Sequence, residues 1–248
     1  MSIKLISVNI ERSKHLERVL PFLEKEQPDV VCLQELHERD KSRFEALLGA
    51  ASFYAPMTRL PEEDCPTGIA ILSRLPMKEQ RIEFYRGPLS AIVEFDATTS
   101  DTKYATEQAM FLRTDIEDAT DGSTYRIGTT HFTWTPDGLP DEHQRQDLQK
   151  LLPIIENASE IVFAGDFNAP RGGEIFSALA SRWTDNIPPL YETSIDVNLH
   201  RAGKTKPHEL KDKMVDGLFT TPAYFASDVK LVSGVSDHCA IVAYITKL

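Results

Sequence analysis

Apolar and polar positions alternate along the chain in blocks of two different periods. Residues 3–10 are a short, nearly continuous apolar run, which predicts a strand. In residues 13–26, Leu16, Val19, Leu20 and Leu23 recur at i, i+3, i+4 and i+7, which predicts a helix. Pro21 lies inside that pattern, so a kink or an early break is expected there. Gln27-Pro28-Asp29 closes the helix, and Val30-Val31-Cys32-Leu33 follows as a strand buried on both faces, delivering Gln34-Glu35 at its end. The second half repeats the layout. Residues 141–157 carry Leu148, Leu151, Leu152 and Ile155 on one helical face. Ile161-Val162-Phe163-Ala164 is then a second buried strand, ending in Gly165-Asp166-Phe167-Asn168. Two helix–strand units that each end in a carboxylate imply a pseudo-twofold arrangement with both acids at one rim. Further strands are predicted at 68–73, 89–96, 124–132, 214–220 and 238–245, with turn residues between them that point to antiparallel pairing. Residues 184–213 show no period and contain Pro188-Pro189; loops of that length are usually functional or mobile.

Composition narrows the class. The 248 residues are 41% hydrophobic and 26% charged, as in an ordinary globular protein, and are expected to form one domain, 1–248. The net charge of −11 excludes a broad basic surface, so adhesion to nucleic acid by bulk electrostatics is not expected. An acidic chain can still act on phosphates where metal ions supply local positive charge. No apolar run approaches the roughly 20 residues of a membrane helix, and residues 3–10 read as a strand, not a signal peptide. Cys32, Cys65 and Cys239 form no CxxC pair, which favours a reducing, cytoplasmic setting; the chain is expected to be a monomer.

Six segments set polar residues at predicted strand ends inside apolar surroundings: Asn9-Ile10-Glu11, Gln34-Glu35, Thr130-His131, Gly165-Asp166-Phe167-Asn168, Val215-Asp216-Gly217 and Ser236-Asp237-His238. Charges there are costly to desolvate unless paired or bound to a metal. Taken singly they have plain alternatives: Asn9 capping a turn, Glu35 as an exposed acid at a strand end, Asp166 as a turn aspartate, His131 as a half-buried histidine, Ser236-Asp237 as a turn before a strand. All six in one chain are far less easily explained that way.

Together the segments resemble the endonuclease/exonuclease/phosphatase superfamily of DNase I-like phosphohydrolases. The resemblance runs in order from Asn9 to His238. It is strongest at Cys-Leu-Gln-Glu-Leu (32–36), Gly-Ile-Ala-Ile-Leu-Ser-Arg (68–74), Gly-Asp-Phe-Asn (165–168) and Ser-Asp-His (236–238). It implies an α+β fold: a four-layer αββα sandwich, two mainly antiparallel sheets face to face with helices outside. It implies that Glu35 binds the metal, with Asn9 as a further ligand or a supporting group and Asp237 as another acid on the metal side. Asp166 matches the residue that positions or deprotonates the attacking water, and Asn168 its phosphate-holding partner. His238 matches the phosphate-contacting histidine, Asp216 the aspartate that orients it, and His131 the histidine opposite. Val8 replaces an aromatic, and Met214-Val215-Asp216-Gly217 departs from the usual Arg-x-Asp-Tyr. A histidine at 131, where abasic-site endonucleases carry tyrosine, argues against that branch.

Phosphate-ester hydrolysis needs a hard cation, donors for the phosphate oxygens and a base for water. Oxygens from Asn9, Glu35 and Asp237 suit Mg²⁺ or Mn²⁺. Trp134, just after His131, is a candidate base-stacking residue, and Arg201 and Lys204 lie in a local basic cluster able to steer a polyanion. The leading expectation is a phosphodiesterase acting on nucleic acid. A phosphomonoesterase, or a phospholipid or inositol-phosphate hydrolase, is the alternative on the same fold. A silent interaction module would be expected to lose Glu35, Asp166 or His238, and all three are present.

Overall fold

The computed structural model describes residues 2–248. Its elements are β1 (Ser2–Asn9), α1 (Leu16–Glu26), β2 (Val30–His37), α2 (Lys41–Leu48), β3 (Ala51–Thr58), β4 (Thr67–Ser73) and β5 (Met77–Arg86). There follow α3 (Ser100–Thr106), β6 (Ala109–Glu117), β7 (Thr124–His131), α4 (Glu142–Asn157), β8 (Val162–Asp166) and α5 (Glu174–Ala180). Short β9 (Thr184–Asp185), β10 (Asp216–Thr220), β11 (Tyr224–Val232) and β12 (Ala240–Lys247) complete the chain.

The strands form two six-stranded sheets, ordered β11-β12-β1-β2-β4-β3 and β5-β6-β7-β8-β10-β9. Each is mixed: β1–β2 and β7–β8 run parallel and the other pairs antiparallel. The parallel pair in each sheet is joined through a helix, α1 or α4, which is the internal repeat visible in the sequence.

Period-two alternation builds the layers. Ile3, Leu5, Val30, Cys32, Ile69 and Ile71 point between the sheets and meet Leu112, Ile127, Val162 and Leu218 from the other side. The intervening Ile6, Val8, Val31, Leu33, Ala70 and Leu72 face outward and are covered by Val19 and Leu23 of α1 and Phe44 and Leu48 of α2. On the second sheet Phe111, Phe163 and Phe219 face outward against Leu151 and Ile155 of α4 and Phe176 and Leu179 of α5. The result is a helix–sheet–sheet–helix sandwich.

Several sequence expectations change. Residues 89–96 are not a strand; they form an irregular connection touching the first sheet through one bridge, Arg59 to Glu94. Five strands lie outside the pattern: β3, β5, β6, β11 and the two-residue β9. β5 is an edge strand with mostly exposed polar residues, and β3 is an edge strand carrying Pro56. α1 starts at Leu16, because Glu11, Arg12 and Ser13 all adopt positive φ in a tight turn, and it continues through Pro21 without a break. Among the described residues, no helix is long and apolar enough to cross a membrane.

Candidate active site

Strand register brings the acids and histidines together. In the second sheet Asp166 at the end of β8 is paired with His131 on β7 and with Asp216 on β10, so three site residues lie in one row across adjacent strands. That close approach requires glycine at 165, since a Cβ there would lie 2.1 Å from the Thr130 carbonyl oxygen. In the first sheet Asn9 on β1 is paired with Gln34 on β2. There β2 bulges against β4 between Leu33 and Leu36, and Glu35 takes φ +57°. The bulge re-aims Glu35 to the rim, while Gln34 turns into the buried inter-sheet layer and donates to Thr129 Oγ1 at 3.0 Å.

Asn9 joins the two sheets. Its Nδ2 donates to Glu35 Oε1 at 3.1 Å and to Asp166 Oδ2 at 3.0 Å, and its Oδ1 accepts the Glu11 N–H at 3.0 Å. Asn9 thus caps the 11–13 turn and also turns its amide nitrogen toward both carboxylates. Asp166 is likewise double-acting. Its Oδ1 closes a turn by accepting the Asn168 N–H at 2.8 Å, and Oδ2 faces His131 Nε2 at 3.6 Å and His238 Nε2 at 3.8 Å. Asn168, at φ +50°, donates Nδ2 to the Phe132 carbonyl at 2.8 Å, fixing the loop after β7.

His238 Nδ1 lies 2.7 Å from Asp216 Oδ2, and both side chains are buried. Burial opposes a charged ring, but Asp216 and Asp166 outweigh it and hold the imidazole pKa well above its ordinary value. The pair is fastened by a residue the sequence does not single out. Ser194 Oγ accepts the N–H groups of Val215 and Asp216, each at 3.1 Å, and residues 194–196 pair with 237–239 by backbone hydrogen bonds. The 184–213 connection is therefore tied to the site at Ser194 and Asp196.

The Asp237 carboxyl is pushed up to about 6 by burial and by the neighbouring Glu11 and Glu35 carboxylates. Glu11 and Asp237 offer oxygens within 4.8 Å of each other, with His15 beside them. Arg12 lies 4.0 Å from Glu35, at the long limit of an ion pair. Glu11, Glu35 and Asp237 bring hard carboxylate oxygens to this part of the cleft, a donor chemistry that fits a divalent cation, and Asn9 orients Glu35. Glu11 joins this group only through the fold; the residue pattern does not mark it as a metal-side acid.

Glu11, Glu35, His131, Asp166, Asn168, Asp237 and His238 line one cleft of about 830 Å³, while Asn9 and Asp216 support lining residues without belonging to the lining. Trp134 and Arg201 lie on its walls, joined by Lys103, His200, Lys206 and Lys213, whereas Lys204 lies outside the lining. Residues Met57, Leu60 and Phe95 give one wall an apolar character.

The chain belongs to the endonuclease/exonuclease/phosphatase family, whose model matches residues 6–238. No curated protein matches it. Among solved structures, it is similar to an endonuclease/exonuclease/phosphatase protein of Bacteroides vulgatus, with TM-score 0.75 and 14% identity over 100% of both chains. It is similar to D. rerio TDP2 in complex with a single-strand DNA product, with TM-score 0.68 and 16% identity over 99% of each chain. It is also similar to the mannosyl-6-phosphatase Bt3783 of Bacteroides thetaiotaomicron, with TM-score 0.69 and 12% identity over 99% of this chain and 100% of that one. At these identities the likeness is one of fold.

Proposed function

We propose that the protein is a divalent-metal-dependent phosphodiesterase that cleaves nucleic acid by in-line attack of water. The observation that carries this reading is the Asn9-bridged pair Glu35 and Asp166, facing His131 and the Asp216–His238 pair within one cleft. The nucleic-acid part rests on the basic residues along that cleft, Lys103, Arg201, Lys206 and Lys213, which stand out in a chain of net charge −11.

When bound at Glu35 and Asp237, Mg²⁺ or Mn²⁺ supplies charge neutralisation for the phosphate oxygens. Asp166, with Oδ1 engaged by Asn168 and Oδ2 facing the site, orients the attacking water and takes its proton as the new P–O bond forms, while the P–O bond opposite it breaks and the departing alkoxide takes a proton from solvent. His238, kept as an imidazolium by Asp216, donates Nε2–H to a non-bridging oxygen as charge builds on it. His131, opposite His238 across Asp166, is placed to donate to a second oxygen. Asn168, beside Asp166, holds the phosphate edge through the remaining Nδ2–H.

The test is hydrolysis of bis(p-nitrophenyl) phosphate against p-nitrophenyl phosphate with Mg²⁺ and Mn²⁺. A panel of single- and double-stranded DNA, RNA, inositol phosphates and sphingomyelin then follows. Cleavage of the diester and of a nucleic acid supports the reading. Turnover of the monoester alone replaces it with a phosphomonoesterase, and no metal-dependent turnover of any ester replaces it with a binding module.

A further inference from the structure

The connection from β5 to β6 places α3 at the mouth of the cleft, and its Lys103 reaches the loop that follows His131. Lys103 Nζ stands 4.2 Å from the centre of the Trp134 ring and also donates to the Trp134 carbonyl oxygen at 2.6 Å. The loop is pinned on its other side. Thr133 Oγ1 donates to Asp147, Gln144 donates to the Thr133 carbonyl, and Asp147 is itself paired with Arg86 at 2.8 Å. Despite this anchoring the Trp134 side chain stays open: the residue is 47% exposed and lines the cleft, as does Lys103. An exposed indole fixed by a cation and by its own backbone loses little conformational entropy when a ligand lands on it.

The cation also selects what lands there. An ammonium over one face draws π-density toward itself, which weakens the ring's attraction for a second cation and for the C–H groups of a sugar. It leaves the ring suited to a flat, electron-rich π-system in offset stacking. Burial opposes the charged form of Lys103 and lowers its pKa, while Glu107 and Asp141 act to keep the charge. One residue further along the chain, the Thr135 hydroxyl is buried and without a hydrogen-bond partner among the described residues, although Thr135 belongs to the cleft lining. A polar atom left in that state is matched by a ligand that brings its own donors and acceptors.

We propose that Lys103 and Trp134 form a prearranged stacking platform for a nucleobase of the substrate strand, with Trp134 as the contact and Lys103 as its positioning residue. This rests on the phosphodiesterase reading above and specifies its substrate as a base-bearing strand, as opposed to a choline phosphate or a sugar phosphate.

The experiment compares a short oligothymidylate with an abasic strand of the same length and charge, both dye-labelled, by fluorescence polarisation in EDTA. Equal backbone charge isolates stacking from the basic cleft. The wild type is expected to bind the base-bearing strand about tenfold or more tightly, given the usual contribution of one aromatic–base stack. Trp134→Ala brings that ratio to within about twofold, Trp134→Phe keeps part of it, and Lys103→Met lowers it without abolishing it. Phosphocholine and hexose phosphate do not compete at the concentrations at which the thymidylate saturates. A wild-type ratio near one, an unchanged ratio in Trp134→Ala, or binding of neither strand up to about 10⁻⁴ M overturns the platform. Absence of diester hydrolysis with Mg²⁺ or Mn²⁺ overturns the parent reading instead, and the binding ratio is measured independently of it.

Discussion

Replacing Asp216 by asparagine removes one charge from the buried pair while keeping the shape and the backbone bonds to Ser194. His238 Nδ1 then loses a charged acceptor at 2.7 Å. A hydrogen bond to a charged group contributes about 1.5–3 kcal/mol. If that interaction serves the imidazolium in the transition state, its loss lowers kcat by about 10- to 100-fold. Removing the donor itself in His238→Ala costs about 10²–10³-fold, the usual result for one oxyanion donor. Since Asp216 is foremost among the groups that raise the His238 pKa against burial, Asp216→Asn lets that pKa fall. The protonated ring is needed on the alkaline side, so the alkaline limb of the pH–rate profile moves to lower pH and the loss is smaller in acid than in base. The double variant should be no slower than His238→Ala by more than about threefold, because the two groups act as one unit. The assay is a double-mutant cycle in kcat at saturating metal, with pH profiles for each enzyme. Multiplicative losses, or an alkaline limb that does not move, refute the pairing of Asp216 with His238 in catalysis.

Chelation should abolish activity, and Glu35→Gln should lower kcat at least as severely as His238→Ala while weakening Mn²⁺ binding measured by calorimetry; full turnover in EDTA contradicts the metal assignment. Gly165→Ala forces a methyl against the Thr130 carbonyl and should cost about 1–3 kcal/mol of stability, and more activity than stability alone explains; an active variant of unchanged Tm contradicts the strand-closure argument. Ser194→Ala leaves the Val215 and Asp216 N–H groups without their shared acceptor and should destabilise by about 2–4 kcal/mol, with a fall in kcat; a change confined to Tm limits Ser194 to the fold.

The sequence is most informative where burial constrains it on both faces. β2 and β8 are continuous apolar runs, so their ends, and with them Glu35 and Asp166, are legible in the residue pattern itself. Edge strands carry no such constraint. β5, with its Lys-Glu-Gln-Arg stretch, satisfies a sheet on one side only and reads as loop. Pairing across the sandwich is also hidden. Asn9 and Asp166 are 157 positions apart, and nothing in either local segment announces the bond between them. Ser194 and Lys103 lie in polar stretches without period, and only tertiary contacts give them a place at the site. Lys206 and Lys213 reach the cleft where Lys204 does not, a distinction invisible in a run of charges.

The order of strands in the first sheet couples the integrity of that sheet to the completeness of the cleft. β1, which carries Asn9, is hydrogen-bonded on one side to β2, its neighbour in sequence, and on the other to β12, which is distant in sequence. Asp237 and His238 directly precede β12. Without β12, β1 has an open edge and the cleft lacks Asp237 and His238. The seam that closes the first sheet is therefore also the one that completes the cleft, so a local opening of β12 from β1 would unmake both at once.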